Sequence, residues 1–133
     1  MATKTIKQTR TFNASAKDLY ETLMDSRKHA KMTGAPAQIS TKVGGAFSVH
    51  DGYATGTNLE LKPNKKIVQS WHASDWPEGH DSRVTFAFAP AGKGKTKLTF
   101  THSGVPEDQV ADLKQGWIDY YWTPLAALFE KAN

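Results

Sequence analysis

The chain contains no cysteine, which removes disulfides, thiolate metal sites and cysteine nucleophiles from consideration and is compatible with a reducing compartment. It also lacks any stretch near the ~18 apolar residues of a membrane-crossing helix. The start, Met1-Ala2-Thr3-Lys4-Thr5, has no apolar run behind its basic residue of the kind a secretory leader needs. The expectation is a cytoplasmic protein with no membrane partner, in which the sequon Asn13-Ala14-Ser15 has no consequence. Internal repeats and low-complexity linkers are missing too. A length of 133 residues with 38% apolar content suits one modest core, so a single domain over residues 1–133 is expected.

Chemical motifs are equally scarce. Of the five histidines, no pair has the spacing that puts two imidazoles on one helix face, and no acidic cluster accompanies them, so neither metal nor cofactor is expected. His29, His50 and His80 read as surface or turn residues. Gly94-Lys95-Thr96 resembles the end of a phosphate-binding loop, but position 89 is Ala89, Pro90 intervenes, and a strand follows where a helix N-terminus is needed. A triad can be drawn from Ser103, His102 and one of Asp75, Asp81 or Asp119, yet no Gly-x-Ser-x-Gly elbow surrounds any serine. Binding is therefore favoured over catalysis, with a cavity-based cyclase or hydrolase around His102 as the enzymatic alternative.

The formal charge is +4, which raises nucleic acid as a partner. The lysines gather at Lys62-Pro63-Asn64-Lys65-Lys66 and at Lys93-Gly94-Lys95-Thr96-Lys97, both turn-like and without interleaved aromatics for base stacking. Nucleic acid is not expected. These segments read as solvated hairpin tips, or as a basic edge for an acidic protein partner.

Residues Lys4–Phe12 form a polar strand with Ile6, Gln8, Arg10 and Phe12 on one face. Ser15 and Asp18 suggest a capped helix carrying Leu19, Tyr20, Leu23 and Met24, and Ser26 can cap a second short helix ending at Gly34 and Pro36. Alternating runs follow at Ile39–Val43, Ala46–His50, Tyr53–Leu61, Lys66–Ala73, Ser82–Ala89 and Thr96–Ser103, an antiparallel meander of five or six strands. Gly44-Gly45, Gly52 and Gly56 would permit bulges where the sheet bends. From Glu107 a helical stripe runs through Val110, Leu113, Trp117, Tyr120, Tyr121, Leu125 and Leu128, and Pro124 either kinks or restarts that helix. The fold class is α+β, a curved antiparallel sheet of about six strands around a long C-terminal helix, with two short helices after the first strand.

The aromatics carry the most information. Phe47, Trp71, Phe86, Phe88, Phe100, Trp117 and Tyr121 project between sheet and helix, either as a filled core or as the walls of a cavity. The expected ligand site comprises these seven with Leu59 and Val84 as apolar neighbours and Gln69 and His102 as orienting polar groups. The expected partner is an apolar or aromatic small molecule. His102, in phase with Leu98 and Phe100, otherwise reads as a hydrogen-bonded core residue.

The segments Val43-Gly44-Gly45-Ala46-Phe47, Ile67-Val68-Gln69-Ser70-Trp71, Asp75-Trp76-Pro77-Glu78-Gly79-His80, Thr101-His102-Ser103-Gly104-Val105-Pro106 and Gln115-Gly116-Trp117 together resemble one family along almost the whole chain. It is the family named after the C-terminal domain of the activator of the heat-shock protein 90 ATPase, within the START-like and Bet v 1-like superfamily. The resemblance implies a helix-grip fold, a superfamily habit of holding hydrophobic small molecules between sheet and helix, and a possible chaperone partner. It implies no established reaction. In the family's co-chaperone a separate N-terminal domain precedes this one, and the chain is expected to begin directly at its first strand.

Overall fold

The computed structural model describes residues 2–129. Alternation shapes the first strand, β1 (Thr3–Phe12), which buries Ile6 and Phe12. Ser15 then caps α1 (Ala16–Met24) by accepting a hydrogen bond from the Asp18 amide at 3.1 Å. Asp25, rather than Ser26, caps α2 (Ser26–Thr33), accepting from the Lys28 amide at 2.9 Å. Ser26 Oγ is used otherwise, taking the Ile39 amide at 2.8 Å and so tying α2 to the next strand. Gly34, at φ 81°, closes α2 in a left-handed conformation that a Cβ would strain.

A meander follows: β2 (Gln38–Ile39), β3 (Ala46–Val49), β4 (Ala54–Lys62), β5 (Lys66–Ala73), β6 (Ser82–Pro90) and β7 (Thr96–Pro106). All neighbours are antiparallel, in the order β1-β7-β6-β5-β4-β3-β2. The sheet thus has seven strands rather than about six. The edge strand β2 has only two residues, far fewer than the Ile39–Val43 run expected there. The irregularities fall between Lys4 and Ile6 in β1 and between Asn58 and Glu60 in β4, not at Gly44-Gly45, Gly52 or Gly56. Gly56 has a different task. A Cβ there would collide with the Ser70 carbonyl and would stand 2.7 Å from the Phe47 ring, so only glycine lets β4 pass that close.

The chain leaves β7 through a 3₁₀ turn (Glu107–Gln109) into α3 (Val110–Trp117), a π-helical turn (Ile118–Trp122) and α4 (Thr123–Phe129). Pro124 neither breaks nor restarts this helix. Thr123 keeps right-handed helical angles of φ −65° and ψ −51°, unlike an extended N-cap, and the wide turn upstream accommodates the missing proline N–H. The extra residue also rotates the apolar stripe. Trp122, outside the expected stripe, is buried, whereas Tyr120 and Leu128 are 53% and 41% exposed.

The helix lies across the concave face and is fastened to β1 as well as to the meander. Gln8 sits at the inner phase of β1, where its Oε1 accepts from Trp122 Nε1 at 2.7 Å and its Nε2 donates to the Lys114 carbonyl at 3.3 Å. Among the described residues no helix is long and apolar enough to cross a membrane.

Candidate functional site

The centre of the grip is a polar pin in an aromatic shell. His102 is fully buried on β7, with Trp117 Nε1 donating to its Nδ1 at 3.2 Å and Ser82 Oγ 2.7 Å from its Nε2. The Ser82 hydroxyl donates its only proton to the Trp71 carbonyl at 2.7 Å. The Nε2 of His102 must therefore carry the proton that Ser82 Oγ accepts, which fixes a neutral Nε2–H tautomer. Burial agrees, lowering the His102 pKa from 6.5 to about 3. Three bonds in series link α3 to β7, β6 and β5, and both imidazole nitrogens are spent within the core. His102 thus has no free nitrogen for a bound reactant, and the reading of it as an acid or base for a cyclase or hydrolase is withdrawn.

The space between sheet and helix is filled. Phe100 packs 4.4 Å from Trp117, tilted, and 5.2 Å from Trp122, edge to face, and Phe86 lies 5.1 Å from Phe100 (ring centroids). What remains inside is a void of about 20 Å³, bordered by Phe47, Gln69, Trp71, Phe86, Trp117 and Tyr121. That is room for about one water and for no organic ligand. Val84, Phe88, Phe100 and His102 are core residues bordering neither this void nor the larger cavity described below. Leu59 corrects the expected set outright, for it is 41% exposed. The irregularity beside it turns Asn58 inward instead, where Asn58 Nδ2 donates to the carbonyls of Ser40 (2.7 Å) and Lys42 (3.0 Å), and Gln69 Nε2 donates to Asn58 Oδ1 at 3.0 Å. Gln69 thus orients Asn58 rather than a ligand.

A cavity of about 480 Å³ does exist, but at the mouth of the grip. It opens between the start of α3, the end of α2 and the turns before β4 and after β5, and of the expected site residues it includes Trp71, Trp117 and Tyr121. The further lining residues include His50, Tyr53, Asp75, Asp112 and Tyr120. Tyr53 donates a long hydrogen bond to Asp75 Oδ1 at 3.4 Å, and its pKa is raised, first by burial and then by the charges of Asp75 and Asp112. Both carboxylates line the cavity with this phenol.

Behind the mouth runs a second chain of polar groups. Tyr121 Oη lies 2.9 Å from His29 Nε2 and 3.2 Å from His50 Nε2. His29 is buried, against the surface position expected for it, because α2 turns this residue inward onto Tyr121. Its Nδ1 has no partner among the described residues. A bare buried acceptor costs less than a bare N–H. The arrangement that follows has His29 Nε2–H donating to Tyr121 Oη and Tyr121 Oη–H donating to His50 Nε2. Burial, reinforced by the nearby His50, lowers the His29 pKa to about 4, burial also lowers that of His50, and burial raises that of Tyr121. Near pH 7 the chain is neutral. His50 is presented by a turn in which it and Asp51 both take positive φ, 54° and 56°, a conformation rare outside glycine.

Alternation finds strand faces, and for that reason it missed the mouth. The runs expected at Ala46–His50 and Tyr53–Leu61 each lose their turn-side residue, since β3 ends at Val49 and β4 starts at Ala54, and His50, Tyr53 and Asp75 lie in turns where alternation assigns no direction. Regular helical spacing puts Tyr120 in the inward stripe, and only the π-helical turn sets it on the rim.

Residues 13–130 match the family described as activator of Hsp90 ATPase homolog 1-like protein. An uncharacterized protein of Schizosaccharomyces pombe is 38% identical over 127 residues, covering 96% of this chain and 38% of that protein. The human activator of 90 kDa heat shock protein ATPase homolog 1 is 33% identical over 125 residues, covering 94% of this chain and 36% of that protein. The chain thus spans little more than a third of the length of these relatives. Among solved structures, an HSP90 activator from Plasmodium falciparum superposes with a TM-score of 0.89 at 26% identity, covering 93% of this chain and 94% of that one. The helix grip, the matched residues and these relatives together place the chain in the activator of Hsp90 ATPase homolog 1-like family.

Proposed function

We propose that the chain is a non-enzymatic protein-interaction module that docks on a chaperone of the heat-shock protein 90 type, acting as a cytoplasmic co-chaperone. Family membership carries this reading, and the filled grip supports it by leaving an interior void of only about 20 Å³. The contact surface is the pair of basic hairpin tips. The β4–β5 and β6–β7 turns lie at the same end of the sheet, since antiparallel neighbours alternate direction. Lys62 and Lys66 are drawn to Glu60 at 3.3 and 3.8 Å, while Lys65, Lys93 and Lys95 join no ion pair among the described residues. The test is binding to the purified chaperone at low and high salt, with wild type and with Lys65→Glu, Lys93→Glu and Lys95→Glu combined. Affinity should fall with salt and drop about tenfold in the triple variant, as loss of rim electrostatics predicts. Absent or salt-insensitive binding sinks the proposal.

A second reading, a module for an apolar or aromatic small molecule, is favoured by the cavity of about 480 Å³, with its site moved from the interior to the mouth. Its lining then comprises Trp71, Trp117 and Tyr121 of the expected residues, joined by Tyr53 and Tyr120.

A further inference from the structure

We propose that the mouth cavity is a recognition site for an organic ammonium ion. This rests on the second reading above, that the mouth takes a small ligand, and adds its chemical class. Tyr53, Trp71, Trp117 and Tyr120 supply aromatic surface, and Asp75 and Asp112 supply carboxylates, around a space of about 480 Å³. A cation gains from both kinds of group at once, from the negative faces of the rings and from the two charges. Among the described residues no lysine or arginine lines the cavity, and neither Asp75 nor Asp112 joins an ion pair. Tyr53 lines the same cavity as both carboxylates and donates to Asp75 at 3.4 Å. The imidazole at the rim, His50, adds no opposing charge near pH 7, because burial lowers its pKa.

The contrast with the rest of the molecule strengthens the case. The chain carries a formal charge of +4, yet the mouth end collects acids: Asp51 in the turn before β4, Asp75, Glu78 and Asp81 between β5 and β6, and Asp112 on α3. The lysine-bearing tips lie at the far end of the same strands. An anionic ligand would be repelled here, and a neutral apolar one would leave the two carboxylates partly desolvated without compensation. Quaternary or alkylated ammonium groups suit the site best. They are weakly hydrated, and they present methyl surface to the rings together with charge to the acids.

The experiment is an NMR titration of the whole chain with choline and with its uncharged carbon isostere 3,3-dimethylbutan-1-ol, following the Trp71 and Trp117 resonances. A parallel arm uses an acetylated trimethyllysine amide, which presents the same cation as a protein side chain. Whichever cation binds tighter identifies the source, a free metabolite or a partner's modified lysine. Saturable shifts are expected with the cations, with the isostere about tenfold weaker. Asp75→Asn combined with Asp112→Asn should weaken the cations about tenfold and leave the isostere unchanged. Both acids are exposed, and an unmoved Trp117 indole N–H on His102 reports that the variant is folded. Equal binding of cation and isostere overturns the ammonium assignment while the mouth remains a ligand site. If no probe saturates, the assignment and the second reading fall together.

Discussion

The tautomer deduced for His102 makes the stability of the fold acid-sensitive in a calculable way. His102 has a pKa of about 3 when folded and of 6.5 in an unperturbed chain. Between those values the unfolded state holds the extra proton, so stability is complete above 6.5, falls as the pH drops, and levels off below about 3. At about pH 4.5 the loss from this one group is about 3 kcal/mol, a substantial part of the 5–15 kcal/mol typical of a domain. The physical event is donor against donor: a protonated Nδ1 faces Trp117 Nε1–H at 3.2 Å, with no acceptor left between them. Carboxylates titrate over the same range, so the measurement is a comparison. Urea unfolding of wild type and His102→Leu near pH 7.5 should differ by about 3 kcal/mol, because the variant orphans the Trp117 indole N–H. Near pH 4.5 the gap should close to within about 1 kcal/mol, since only wild type loses the His102 contribution. Nitrogen shifts of the wild-type imidazole, which need no variant, should show the Nε2–H form and no titration from about pH 8 to pH 5. A midpoint near 6.5 in the intact fold, or a gap that stays constant with pH, would refute the reasoning.

Two further outcomes follow from the sheet. Asn58→Ala should lower stability by about 2–4 kcal/mol in chemical denaturation, because it strands two loop carbonyls and the Gln69 amide in a buried position. Gly56→Ala should weaken β4 by about 2 kcal/mol or more and raise amide exchange at Phe47 and Ser70, where the new methyl meets the Ser70 carbonyl and the Phe47 ring.

The meander and its inward face were legible because alternation in Val84-Phe86-Phe88 and Leu98-Phe100-His102 matches the pleat, and the buried set follows it closely. The wide turn at Ile118–Trp122 was not legible. Its cause is partly local, at Pro124, but its effect on phase, burying Trp122 and exposing Tyr120, emerges only when the helix is seated on the sheet. Leu59 misled for a related reason. One irregular step in β4 reverses which side chain faces inward, and nothing in Asn58-Leu59-Glu60 announces it. The buried state of His29 depends on Tyr121, far along the chain, so composition and spacing around α2 carry no trace of it.

The pairing of β1 with β7 sets Ile6 opposite His102, joining the two ends of the sequence, whereas every other strand pair is a local hairpin. Assembly of the molecule is therefore unequal in its demands. The meander from β2 to β7 is built from short loop closures, and one long closure remains for the N-terminal strand. That strand also receives the Trp122 indole on Gln8. Clasp and helix thus share an anchor, so releasing β1 from the edge also frees the far end of the helix.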